Sequence, residues 1–217
     1  MRKMNFVCTI LAGVVISASL AVAGGLVEGS DARAEPMKKA LAALVKEIGA
    51  GDLEKAKALC AGGKTDVEVL AAYVDGAAGA KAMRAAITAK FGDIPDNRLL
   101  GLDTDVDRMG IHDFNTVIFY DDPDRAASSA DSPLGVGIEF KRVDGTWKVL
   151  SLVSSPEKSE DHLARLKLYI STVKAITEKV KSGSYQSSDD AIGAAGDAEL
   201  QLWPHTRTAP PATSPTH

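Results

Sequence analysis

The 217 residues predict an α+β fold: N-terminal helices, then a curved antiparallel sheet of three to four strands, covered by a long C-terminal amphipathic helix. Three observations lead there. Apolar residues recur at helical spacing from Met37 to Phe91, alternation of β-branched and aromatic residues takes over between Asp113 and Val153, and the helical period returns after Pro156.

Met37, Ala40, Leu41, Leu44, Val45 and Ile48 recur at helical spacing, Gly49 to Gly51 interrupt them, and Asp52 can cap a second segment carrying Leu53, Ala56, Leu59 and Cys60. That pattern gives two short helices or one kinked helix. Gly62-Gly63 closes the unit, and Asp66 opens a helix in which Val67, Leu70, Tyr73 and Val74 fall together. The Gly-Ala-Ala-Gly stretch at 76–79 weakens it, because glycine costs about 1 kcal/mol relative to alanine inside a helix. The pattern resumes through Met83 and Ile87 to Phe91, with Gly92 as its cap.

Three stretches then read as strands: "DFNTVIFY" at 113–120, "LGVGIEFKRV" at 134–143 and "TWKVLSLV" at 146–153. Asp144-Gly145 joins the last two as a tight hairpin, since a type I′ turn needs positive φ at both central residues. The segment from Asp121 to Pro133, rich in Asp, Ser and Ala, reads as a mobile loop. Beyond it, Leu163, Leu166, Ile170, Val173 and Val180 make the clearest amphipathic seam in the chain. His162 stands near its start among Glu160 and Asp161, which reads as capping and solvation. Ser182-Gly183-Ser184 ends the helix, an alanine-rich segment runs from Asp189 to about Leu202, and residues 203–217 form a Pro- and Thr-rich tail expected to be disordered.

The first residues set the compartment. Arg2 and Lys3 precede an uncharged run from Phe6 to Val27, with small-x-small sites at Ala21-Val22-Ala23 near its end and at Ala32-Arg33-Ala34 beyond it. Residues 1–34 therefore read as an export signal cleaved after Ala23 or Ala34, placing the protein in the periplasm or outside the cell; an uncleaved membrane anchor is the alternative. Residues 35–202 make one domain, with no membrane partner once the signal is removed. Losing residues 1–34 takes away three cations and two anions, so the net charge moves from −4 to −5. An acidic chain lacks the basic face that nucleic acid requires. Cys60 is then the single cysteine, so no internal disulfide forms, and beside Leu59 it reads as a small apolar helix residue.

An N-terminal "GDLEKAKAL" helix, further helix and a sheet ending in "FKRVDGTWKVLSL" resemble the NTF2-like superfamily of α+β cones, the SnoaL and ketosteroid-isomerase types included, over residues 37–153. The resemblance implies a bent sheet wrapped around helices to leave a conical pocket, and a pocket acid or base where such a domain is an enzyme.

The chemistry-bearing groups are few, and no cofactor motif stands among them. Asp103, Asp105 and Asp107 occupy the first three ligand positions of a calcium loop, but Arg108 replaces the turn glycine and Phe114 the bidentate carboxylate, so a solvated acidic loop is the better reading. His112 adjoins Asp113, yet neighbours on a strand point to opposite faces and form no dyad. His112 and Glu139 remain as weak catalytic candidates. Tyr73, Tyr120 and Trp147 are the candidate ligand-binding residues, with Val136, Ile138, Phe140 and Val149 as an apolar wall that by default is simply core. The preferred expectation is a non-catalytic domain binding a small apolar ligand or a protein partner; a homodimer and a small isomerase, dehydratase or hydrolase stay open.

Overall fold

The computed structural model describes residues 26–28, 32–93, 116–128, 137–153 and 156–202. A short strand is followed by three helices, the other strands of an antiparallel sheet come next, and two helices end the described chain.

Helix α1 (Glu35–Ala50) turns Met37, Leu41, Leu44, Val45 and Ile48 inward. Gly51 stops it in the left-handed region at φ 76°, where its N–H bonds to the Ile48 carbonyl and the Asp52 N–H to that of Glu47. Asp52 accepts from the Lys55 N–H at 3.0 Å to start α2 (Leu53–Ala58), so the interrupted pattern is two helices. Next, α3 (Lys64–Phe91) runs unbroken for 28 residues, straight through the glycine-rich stretch. There the weak local propensity is overridden by packing: Ala72, Gly76, Ala77 and Ala80 are all buried, and small residues let another helix approach.

The sheet is a meander in the order β1-β2-β3-β4-β5, every neighbouring pair antiparallel, made of β1 (Leu26–Glu28), β2 (Thr116–Phe119), β3 (Arg125–Ser128), β4 (Glu139–Val143) and β5 (Thr146–Ser151). Two of these differ from expectation. β3 lies inside the stretch read as a mobile loop, where Pro123 and Asp124 make a tight turn and Ala126 and Ala127 are buried. Alanine has little strand propensity, so only the pairing of Ala126 with Phe119 and Phe140 makes it a strand. β1 lies between the two candidate cleavage sites and pairs with β2. The hairpin turn is as expected, with Asp144 at φ 50° and Gly145 at φ 76°.

Cross-strand partners share a face, which puts Val117, Ala126, Phe140 and Val149, all 0% exposed, on one side with Phe119 and Trp147. The helix that lies along β5 is α1. The free edge of β5 is closed by residues 59–61, where Ala61 N–H donates to the Val149 carbonyl at 2.7 Å and Val149 N–H to that of Leu59 at 3.2 Å.

Helix α4 (Pro156–Ser182) has α3 as its principal partner. Tyr73 meets His162, Gly79 faces Val173, and Lys90 Nζ donates to the Val180 carbonyl, so the contacts advance together and the two helices run parallel. A parallel pair needs a long return connection, and the sheet supplies it. Helix α5 (Ser188–Leu202) follows a short turn and buries Ala191, Ala195 and Ala198 against α4.

Candidate functional site

A cavity of about 320 Å³ opens where four chain segments meet: the start of α3 at Gly63–Asp66, the head of β4 at Glu139, the end of β5 at Leu150 and Ser151 with Val153 beyond, and Ser159 on α4. Local sequence builds each wall. Glu139 pairs with Ser151 and Phe140 with Val149, so Leu150 is an extra residue, and the resulting bulge turns the end of β5 away from regular pairing. Ser151 Oγ then accepts the Val153 N–H at 3.2 Å and donates to its carbonyl at 2.8 Å, which ends the strand in a tight turn. Gly62 sits so close to the Leu150 carbonyl and the Asp66 side chain that a Cβ there would overlap both.

The cavity's charges are mixed. Asp66 Oδ2 accepts the Gly63 N–H at 2.9 Å, capping α3 and offsetting the positive end of its dipole. Glu139 Oε2 accepts from Arg125 Nη2 at 2.8 Å, a pair in which the carboxylate side chain is only 21% exposed. Lys64 reaches outward, its Nζ 3.9 Å from Glu68. Leu150 and Val153 contribute apolar surface, and Thr65, Ser151 and Ser159 contribute short polar groups.

Structure separates the three aromatic candidates. Tyr120 lies by the outer face of the sheet, where the Arg125 guanidinium is 5.4 Å from its ring centroid; burial, with the Glu139 charge adding to it, raises its phenol above the usual range. Trp147 is half-buried on the inner face, edge-on to Phe119 at 6.4 Å, with Arg142 5.6 Å from its ring. Tyr73 is 0% exposed between α3 and α4, its hydroxyl 2.8 Å from His162 Nε2. Of the catalytic and ligand-binding candidates among the described residues, Glu139 lines the cavity and Tyr73, Tyr120 and Trp147 do not. His112, Asp103, Asp105 and Asp107 lie outside the described residues. Cys60 is half-buried, its Sγ accepts the Gly62 N–H at 3.4 Å, and burial pushes its thiol up.

His162 is the residue whose place the sequence reading missed. It is 1% exposed and held neutral: burial, and secondarily the Arg165 charge, lowers its pKa to about 4. The signal was present in the spacing, because His162 precedes Leu166 by four residues and Tyr169 by seven and so belongs to the apolar seam. The acidic neighbours Glu160 and Asp161 point away, both exposed.

Among the described residues, no cluster of three His, Cys, Asp or Glu side chains stands ready for a metal, and no helix is long and apolar enough to cross a membrane. Compared with family models, with curated proteins and with solved structures, the chain matches none of them.

Proposed function

We propose that this chain is an exported, non-catalytic binding domain of the NTF2-like kind, which takes a small, mainly apolar ligand in the cavity between α3, the β4–β5 bulge and the start of α4. The observation that carries this reading is the cavity itself, about 320 Å³ and walled by Leu150 and Val153 with Thr65, Ser151 and Ser159 as orienting groups. That volume is at the lower end for small-molecule sites, and apolar walls with a few placed polar groups are their usual make-up. The sheet's inner face supports a rim site over a hollow cone, since Met37, Leu41 and Leu44 of α1 and Phe140 and Val149 of the sheet are all fully buried. Ser159 near the start of α4 comes to the rim of the cavity with Glu139.

Two features favour binding over catalysis. The His162 imidazole is sealed against Tyr73, and the Glu139 carboxylate is neutralised by Arg125. A small enzyme using Glu139 as its base is the second reading, favoured by that residue's place in the cavity wall.

Indole, an apolar ring with one N–H donor, is a suitable probe. In an NMR titration of the full exported chain, the amides of Leu150, Ser151 and Ser159 should shift saturably, and Ser159→Trp, which fills the cavity, should abolish the shifts. Absence of any saturable shift at those amides in wild type would reject the site.

A further inference from the structure

Three cations stand side by side on the outer face of the sheet: Arg125 of β3 is directly opposite Lys141 of β4, and Lys141 is directly opposite Lys148 of β5. Tyr120 continues the row at the end of β2, its N–H bonded to the Arg125 carbonyl and its ring under the Arg125 guanidinium. Like charges placed opposite one another destabilise a sheet, and this row belongs to a chain whose net charge is −4. Local stability therefore does not explain it.

The row borders the cavity. Along β4, Glu139 in the cavity wall precedes Lys141 by two residues, and along β5, Leu150 in the wall follows Lys148 by two. Residues two apart on a strand share a face and lie about 7 Å from each other, which sets both lysines one step from the wall. Lys148 also reaches toward the segment that leads to Gly63, its Nζ donating to the Ala58 carbonyl at 2.9 Å. That bond holds the ammonium without neutralising it. We propose that cavity and row form one site for a small amphiphilic anion: its apolar body fills the cavity, and a carboxylate, sulfonate or phosphate group on a short spacer lies between Lys141 and Lys148. The proposal rests on the cavity being a ligand site, as argued above, and adds the charge of the ligand.

The carboxylates of the wall do not reverse that preference. Glu139 Oε2 is held by Arg125 at 2.8 Å, and Asp66 Oδ2 by the Gly63 N–H at 2.9 Å, at the positive end of the α3 dipole. With Arg125 engaged by Glu139, the attraction falls to the two lysines. Among the described residues, neither has a carboxylate within ion-pair distance. Two surface lysines alone would hold a small anion only weakly, so the apolar walls supply the binding and the row supplies the discrimination by charge.

Three probes of related shape and different charge test this at pH 7: indole, indole-3-propionate and tryptamine, each titrated into the full chain and followed by NMR. Indole-3-propionate should bind on the order of 10-fold more tightly than indole at low ionic strength, through Coulomb attraction to the two ammonium groups, and tryptamine more weakly than indole. The carboxylate probe should shift the amides of Lys141 and Lys148 in addition to those of Leu150, Ser151 and Ser159. In about 1 M salt, where the screening length falls to about 3 Å, its advantage should collapse, as it should in the double variant Lys141→Gln, Lys148→Gln. Equal affinity for the three probes, a preference for tryptamine, or an advantage that survives either the salt or the double variant would overturn the proposal while leaving the cavity as a ligand site. Absence of a saturable shift at the cavity amides with all three probes would reject the cavity itself, and the amphiphile with it. Should the double variant not fold, the salt dependence of the wild-type chain decides.

Discussion

At His162 a polar ring has been placed in an apolar seam, 1% exposed, with the Tyr73 hydroxyl as a partner. Burying an imidazole costs free energy unless its nitrogen is satisfied, and the Tyr73 hydroxyl at 2.8 Å satisfies it. Tyr73→Phe keeps the ring and removes the hydroxyl, and with it the hydrogen bond to Nε2. Denaturant unfolding at pH 7 should show a loss of about 1–3 kcal/mol, the usual cost of removing one partner from a buried hydrogen bond; an unchanged midpoint would mean that the hydroxyl contributes nothing there. Arg125 and Glu139 are a different case. Their ion pair is 2.8 Å long but its guanidinium side chain is 42% exposed, so it orients the cavity carboxylate more than it stabilises the fold.

At the scale of elements, helix α3 carries a glycine that local rules disfavour. An ideal Cβ on Gly79 would meet Val173 Cγ1 at 3.5 Å, an ordinary van der Waals contact, so the α3–α4 seam has room for it. Gly79→Ala should thus stabilise by about 0.5–1 kcal/mol through reduced backbone entropy of the unfolded chain, and a thermal scan showing a lower melting temperature would refute that. The sheet's inner face ends at Trp147, whose indole is half-buried against Phe119. Trp147→Ala should cost about 2 kcal/mol, less than a fully buried aromatic does, because part of the ring already faces solvent. The measurement is the shift in denaturant midpoint, and a loss of 4 kcal/mol or more would show that the indole is core after all.

For the whole molecule, cleavage at the two candidate sites would have unequal structural consequences. Processing after Ala23 keeps Leu26–Glu28, while processing after Ala34 removes the strand that pairs with β2 and leaves that edge open. If the domain is exported as proposed, its mature form should begin at Gly24, and intact-mass measurement of the exported protein checks this. A chain produced from Glu35 should melt at a lower temperature than one produced from Gly24; equal melting would show that β1 contributes no stability.

Local sequence determined the pieces that local physics controls. Asp144-Gly145 specifies its turn through φ alone, Gly51 and Asp52 end one helix and begin the next, and the seam from Leu163 to Val180 requires a helix whatever surrounds it. What the seam packs against was not legible. Hydrophobic periodicity states that a face is buried but not in which partner, and only the tertiary structure set α4 along α3 and α1 along β5. The same limit hid β3 and β1, whose short and weakly β-forming residues become strands through their neighbours. It hid the site as well. The cavity gathers residues from Gly63 to Ser159 that share no motif, and the Tyr73–His162 bond joins positions 89 residues apart, a distance at which sequence spacing carries no geometric information and only the packed chain does.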